Sequence, residues 1–474
     1  MGFDDDSFFD DYEIQELINK FEDQLNSQQS IYFDADELNL IMEHYIQNND
    51  IGKINLIADL ASKYHSYNPI TNLIIAKKFL SNQNAKEALK YLTGDDMPIQ
   101  DPDYQLSLGY CYSLLDEHRK SISAYKEAIR LLNDENCDDI YNSMALEYIM
   151  ISNYEKAIDC FKRGLRISQD LNEQYIEITN CYFNLDKADD AIDFFNKEVD
   201  KNPYNIDAWM ALGNCYLRLH LLEKAVEQYE YALAINPRLT KAYTNILTIL
   251  NELDKYQDTI ETAREAIRNN VKTPLIYCLY GEALSKTSNK IDALKYFKLA
   301  IEMDENTAEA HAGIAFIFSE ENDPATAVKF LEKARELAPG NTDYLYVLAE
   351  ENNKLGKYDT SLKYLKEIES IFPYDANLYI ALMEVYILMD DVDNAIKSVH
   401  KGLKLLGRNA ALLYRLAFIY FVQEDKELGM LTLEEALNID YEGHVEFIDF
   451  DPEFVLNNTE IVNLINDYKT TNKK

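Results

Sequence analysis

The sequence predicts an all-α fold, a linear stack of about twelve helix pairs with a helical cap at each end. Three observations lead there. The chain repeats itself every 34 residues, with blocks starting at 138, 172, 206, 240, 274, 308, 342, 376 and 410 and no insertion or deletion among them. Glycine (14) and proline (10) are scarce in 474 residues, which suits long helices joined by short turns and opposes an all-β fold. A hydrophobic fraction of 47% and an aromatic fraction of 12% are ample for a packed interior.

The best-formed block is residues 206–239. Counting Ile206 as position 1, it carries Trp209 at position 4, Leu212 and Gly213 at 7 and 8, and Tyr216 at 11. Ala225, Tyr229, Ala232 and Pro237 follow at 20, 24, 27 and 32. This set resembles the tetratricopeptide repeat, a helix–turn–helix unit of about 34 residues. The resemblance implies that the large residue at position 4 and the aromatics at 11 and 24 fill the space between helices. The small residues let backbones approach, and proline ends the unit because it cannot continue a helix. It further implies a right-handed α-α superhelical solenoid whose helix A lines the concave surface, as in the many bacterial proteins that consist of this solenoid alone.

Taken in order, residues 1–34 form an acidic extension with Asp4, Asp5, Asp6, Asp10 and Asp11, interleaved with Phe3, Phe8 and Phe9. Ile14, Leu17, Ile18, Phe21 and Leu25 then recur at helical spacing. This helix is expected either to cap the first repeat or to act as an arm that folds over the groove. The repeats span residues 35–443, with earlier, weaker blocks at 35, 69 and 102 and two extra residues near Asn136 and Cys137. Helix A is expected at positions 2 to 14 and helix B at 17 to 30. Position 20 is small in all nine regular blocks, from Ala157 to Gly429. Departures stand at Glu198 and Ile368 (position 27) and at Leu247 and Met383 (position 8), where a larger side chain should splay the helix pair. Residues 444–474 read as capping helices, one opened by the Asp451 N-cap and Pro452, the last by Asn458-Thr459-Glu460, with a frayed tail from Thr470.

Composition narrows the function. With 83 acidic against 46 basic residues the net charge is −37, a field that repels nucleic acid and anionic membranes and attracts basic partners. No apolar run reaches the length of a membrane span, and the first six residues carry no secretory or myristoylation pattern, so a cytoplasmic location is expected. The six cysteines are dispersed without a Cys-x-x-Cys pair and read as reduced packing residues. The seven histidines lack ligand spacing, so no metal is expected, and the nucleotide, zinc-protease and serine-hydrolase motifs are missing. Neither enzyme activity nor a cofactor is expected.

Function is therefore expected on helix A, where the resemblance directs positions 2, 5, 9, 12 and 13 into the groove. Position 2 is acidic in seven blocks, including Asp36, Asp103, Asp207 and Glu309, which offsets the helix dipole or offers a ladder for a basic ligand. Blocks 102 to 172 present an apolar stretch of Leu106, Tyr110, Leu114, Leu146, Ile149, Met150, Ile176 and Phe183. Asn180, Asn214 and Arg218 stand beside it, Arg218 being a rare cation at these positions. Blocks 240 to 308 read as mostly polar. Blocks 376 and 410 turn apolar again, with Ile380, Ile387, Leu388, Tyr414, Phe418, Phe421 and Val422, a patch expected to be covered by the C-terminal cap. Chaperone-binding family members clamp a peptide's terminal carboxylate with lysine, arginine and asparagine. Asn180 and Lys241 match two clamp positions, but Ile176, Ala211 and Asn245 occupy the rest, so no carboxylate clamp is expected. The sequence thus predicts a scaffold that binds a peptide or protein segment in the concave groove; the alternative is an acidic chaperone or decoy that sequesters a basic protein.

Overall fold

The computed structural model describes residues 11–27, 32–94, 97–134, 137–165 and 171–471. The expected acidic lead before Asp11, the insertion residue Asn136 and the end of the tail lie outside these residues. Among the described residues every regular element is helical, and twelve helix pairs follow one another, divided between two compact units, 1–236 and 237–474.

The first unit opens with α1 (Asp11–Asn26). Its first three pairs are α2 (Ala35–Gln47) with α3 (Ile51–Tyr64), α4 (Pro69–Ser81) with α5 (Ala85–Leu92), and α6 (Pro102–Leu114) with α7 (His118–Leu131). Then come α8 (Asp138–Met150) with α9 (Tyr154–Gly164), α10 (Asn172–Asn184) with α11 (Ala188–Lys201), and α12 (Ile206–Arg218) with α13 (Leu222–Ile235). The second unit has α14 (Thr240–Glu252) with α15 (Tyr256–Arg268), α16 (Pro274–Lys286) with α17 (Lys290–Met303), and α18 (Ala308–Glu320) with α19 (Pro324–Leu337). It continues with α20 (Thr342–Lys354) and α21 (Tyr358–Ile371), α22 (Ala376–Leu388) and α23 (Val392–Leu406), and α24 (Ala410–Val422) and α25 (Lys426–Ile439). Three helices close it, α26 (His444–Phe450), α27 (Pro452–Asn457) and α28 (Thr459–Thr471). Helix A thus occupies positions 1 to 13, one residue earlier than the periodicity suggests.

One turn recurs in all twelve pairs. The residue at position 15 is left-handed, with φ between 53° and 69°, from Asn49 through His220 to Glu424. Only Gly356 among them is a glycine; the others are mostly asparagine, aspartate and serine, which tolerate this region better than branched residues. The left-handed residue lets the amide of position 16 reach back to the carbonyl of position 11, as Asn153 does to Tyr148 and Asp391 to Tyr386, closing a Schellman motif. Position 16 then caps helix B: the side chains of Asn84, Asn153, Asn289, Asp323, Asp391 and Asp425 accept from the amide three residues on. One three-residue turn ends helix A and starts helix B.

Between the two helices, positions 8 and 24 share one buried space. Where position 24 is a large aromatic, position 8 is small: Gly109 faces Tyr125, Gly213 faces Tyr229 and Gly281 faces Phe297, each leaving a Cβ less than 3 Å from the ring. Where position 8 is large the order reverses, and Leu247 is buried with Ala263, Met42 with Ala58 and Met383 with Val399. The expected splaying also occurs. The pairs α10–α11, α14–α15, α20–α21 and α22–α23, which carry the four departures, pack less closely than α6–α7, α12–α13 or α16–α17.

Trp209 corrects an expectation. Position 4 is buried at Tyr175, Tyr243 and Tyr379, but the indole of Trp209 is only half-buried. It stacks on Tyr231 at 4.6 Å and donates from Nε1 to the Pro203 carbonyl oxygen at 2.9 Å. The six cysteines are all buried, and burial pushes their thiols up, Cys111 and Cys160 to about 11. At the first end, Leu17 and Phe21 of α1 enter the core of α2 and α3. At the other, Phe447 of α26 is fully buried against Tyr414, Phe418 and Phe421, while Ile387, Leu388 and Val422 stay exposed, so the cap covers only part of the apolar patch.

The shared space yields a stability test. Gly213→Leu should destabilise by about 2 kcal/mol or more through overpacking against Tyr229, and Tyr229→Ala by about 3–5 kcal/mol through the cavity it leaves. The double variant, which copies the arrangement of Leu247 and Ala263, should lose less than the sum by at least ~1 kcal/mol in a denaturant double-mutant cycle. Strict additivity would refute the compensation.

Candidate functional site

The A helices of the first unit carry the residues expected to bind. Tyr110 (46% exposed), Leu146 (51%), Met150 (62%) and Ile176 (40%) project into solvent from α6, α8 and α10, with Leu114 beside them at the end of α6. Leu106, Ile149 and Phe183 are half-buried and pack against the core beneath. Each exposed side chain sits at groove position 5, 9 or 13, so the repeat period places them on corresponding faces of consecutive helices.

Arg218 is fastened down. Its guanidinium lies 4.1 Å from the centroid of the Phe183 ring and donates to Asn180 Oδ1 at 3.0 Å. Arg218 thereby ties α12 to α10 and closes one end of the apolar row with a planar cation. Asn214 is not its partner: Asn214 Oδ1 accepts from the Tyr229 hydroxyl at 2.7 Å, an interaction within its own repeat.

The groove positions of the first three repeats hold an internal ion cluster that helical periodicity did not reveal. The ammonium of Lys77, a buried side chain at position 9 of α4, lies 2.6 Å from Glu43 Oε1 and 2.6 Å from Asp103 Oδ2, with Asn39 Oδ1 at 3.0 Å. Asp103, expected to serve the helix dipole, therefore binds a lysine as well. Desolvation by burial pushes the Asp103 carboxyl up, but the Lys77 charge and hydrogen bonds from Glu43, Lys77 and Asn39 outweigh it and hold it below the usual range. Burial and the neighbouring Asp103 push Glu43 to about 7 against the pull of Lys77. The Glu43 side chain is still 41% exposed by area, so water screens part of this effect.

In the second unit a cavity of about 490 Å³ lies over α16, α18 and α20, where the sequence reads as mostly polar. Its apolar lining includes Leu275 and Phe316, both partly exposed, and Tyr344 and Val347. Four carboxylates, Glu282, Glu309, Glu320 and Glu350, surround it against one ammonium, Lys286. Three of the four are engaged: Glu282 accepts from Asn251 at 3.0 Å, Glu320 pairs with Lys290 at 3.0 Å and Glu350 with Lys354 at 2.9 Å. Glu309 has no hydrogen-bond or ion-pair partner among the described residues. Phe316 at position 9 and Leu275 at position 2 were the available signals in the sequence, but the surrounding acids mask them.

No cluster of three metal-ligating side chains and no helix long and apolar enough to cross a membrane occurs among the described residues. His118 Nδ1 lies 2.8 Å from the buried Glu147 and His311 Nε2 3.1 Å from the Glu305 carbonyl oxygen, so these rings tie helices and turns together.

Residues 206–239 match one profile of the tetratricopeptide repeat, and residues 102–132 and 275–307 match another. The response regulator aspartate phosphatase E of Bacillus subtilis (strain 168) is 28% identical over 98 residues, 20% of this chain; the chain spans about a quarter (24%) of that relative. Among solved structures, YrrB, a TPR protein with an unusual peptide-binding site, is 22% identical over 40% of this chain and 96% of its own, with a TM-score of 0.32. The APC/C hetero-tetramer Cut9–Hcn1 is 16% identical over 92% of this chain and 96% of that one, with a TM-score of 0.36. A tetratricopeptide repeat protein from Parabacteroides merdae ATCC 43184 is 16% identical over 56% and 98%, with a TM-score of 0.41.

The ion cluster predicts a pH dependence. A carboxyl whose folded pKa is raised stabilises the fold fully below its ordinary value and loses that contribution as pH rises through the folded value. Glu43 should therefore lower the thermal midpoint between about pH 5 and pH 8, a window in which Asp103, held low, stays ionised. The midpoint difference between Glu43→Gln and the parent should shift in favour of the variant across that window, followed by circular dichroism at low salt; a constant difference would contradict the assignment.

Proposed function

We propose that this tetratricopeptide-repeat protein is an interaction scaffold without catalysis of its own, holding a peptide or protein segment against its A helices. Proteins built of this repeat are protein-interaction scaffolds that bind partners along extended surfaces. The finer reading rests on one observation: Tyr110, Leu114, Leu146, Met150 and Ile176 remain exposed on three consecutive A helices of one unit. A contiguous row of large apolar side chains favours a partner, because association removes that area from water at roughly 25 cal/mol per Å². Arg218, held over the Phe183 ring, would add hydrogen-bond donors at the end of the row.

In this reading the division of labour follows the chain. Residues 1–34 and 444–474 seal the ends of the array, and residues 35–443 bind. The helix of the extension supports this role, since α1 is packed into α2 and α3 and its apolar face is used there. The scaffold would act in the cytoplasm, without cofactor, nucleic acid or membrane.

A photo-crosslinking amino acid at Tyr110 should capture the partner from the cell of origin, with crosslinks mapping to a single segment of it. Leu146→Asp with Met150→Asp should lower capture at least ~10-fold while leaving helicity unchanged, because both side chains are already in solvent. Undiminished capture by the double variant would refute the apolar row as the site. Binding should also survive a rise from about 50 to about 500 mM salt, whereas its collapse would favour the acidic decoy for a basic protein.

A further inference from the structure

The cavity over α16, α18 and α20 differs in chemistry from the apolar row of the first unit. It combines an apolar wall, Leu275 and Phe316, with a carboxylate, Glu309, that no side chain of the described residues neutralises. Its volume of about 490 Å³ falls within the roughly 300–1,000 Å³ of clefts that hold ligands. Phe297 of α17 packs beneath α18, where a Cβ on Gly313 would lie 2.3 Å from its ring. Phe297, Gly313 and Ala312 together line that side of the cavity without polar groups.

We infer that this cavity is a second binding site, which takes an arginine or lysine side chain of an extended peptide with a bulky apolar neighbour on the same peptide. The cation would meet Glu309 and Glu282, while its aliphatic stem and the neighbouring residue cover Phe316 and Leu275. Charge decides between the occupants of such a groove. Four carboxylates against one ammonium repel an acidic segment, and a purely apolar segment would bury Glu309 without a partner, which is strongly unfavourable. A small free cation would leave Phe316 and Leu275 in water, so a peptide fits better than a polyamine. The inference rests on the reading of helix A as the ligand-bearing surface but uses different residues from the apolar row, so the two can fail separately.

A displayed library of random dodecapeptides, selected on the full chain, tests it. Enriched peptides should carry arginine or lysine next to leucine, isoleucine, phenylalanine or tryptophan. Labelled copies, followed by fluorescence anisotropy, should lose at least ~10-fold in affinity with Glu282→Gln plus Glu309→Gln. They should lose as much with Phe316→Ser, and little with Met150→Asp in the first unit. The general attraction of a chain of net charge −37 is controlled by Asp189→Asn plus Asp190→Asn, which removes the same two charges from an exposed helix and should leave affinity unchanged. Acidic or purely apolar consensus peptides, equal loss with both pairs of charge variants, or binding indifferent to Glu309 and Phe316 would each overturn the inference. Loss with Met150→Asp alone would instead assign the peptides to the apolar row.

Discussion

Helix A and helix B of each repeat meet across a gap that two residues must fill between them, and the rest of the fold is arranged around that contact. Positions 8 and 24 are buried in every one of the twelve pairs, yet neither has a fixed identity. Tyrosine or phenylalanine at 24 demands glycine, alanine or threonine at 8, as in Gly213 with Tyr229 or Thr179 with Phe195. Leucine or methionine at 8 demands alanine or valine at 24. Protein interiors are packed near crystal density, so the summed volume is conserved more tightly than either side chain. The fill is imperfect where Glu198 or Ile368 intrudes at position 27, and those pairs pack less closely. A repeat protein can absorb such local looseness because each unit contacts only its neighbours.

The second constraint is the turn, which keeps helix A and helix B in one register within each block. A left-handed residue at position 15 stops helix A after thirteen residues, and helix B restarts at the seventeenth position in every block, with or without a capping side chain at position 16. It holds even in blocks 35 and 69, where side-chain identities are least like the rest: Asn49 and Gln83 sit at the same φ as Asp254 or Ser288. Side chains within a block vary widely while this backbone geometry does not.

These two constraints also mark what could be read from the sequence and what could not. Helix boundaries, the small residue at position 20 and the burial of the cysteines follow from periodicity and size, which are local properties. The exposed row from Tyr110 to Ile176 was legible for the same reason, since a helical period assigns each residue to a face. What periodicity cannot supply is the identity of a neighbour on another helix. Position 4 predicts an interior side chain at Trp209, but its indole is half-buried and stacks on Tyr231. For Arg218 the helical period offers Asn214, one turn away on its own helix, while its partners Asn180 and Phe183 are more than thirty residues back. Lys77 carries no local signal, because its two carboxylates come from different repeats, at Glu43 and Asp103.

The ion cluster and the cavity are opposite solutions to one problem, the placement of charge at groove positions of a strongly acidic chain. In the first repeats a lysine at position 9 of α4 neutralises two acids from adjacent helices, and the groove is satisfied internally. In the repeats that start at 274, 308 and 342 the position-9 residues are Glu282, Phe316 and Glu350, and none of them is a lysine. Between them, the aromatic at position 24 of the intervening helix B packs against bare backbone, since a Cβ on Gly313 would meet the Phe297 ring. An apolar lining and a carboxylate that has no cation of its own share one cavity there. The surplus of carboxylates over cations around that apolar lining is the physical reason to look for a ligand at this place, and for the ligand to carry the missing positive charge.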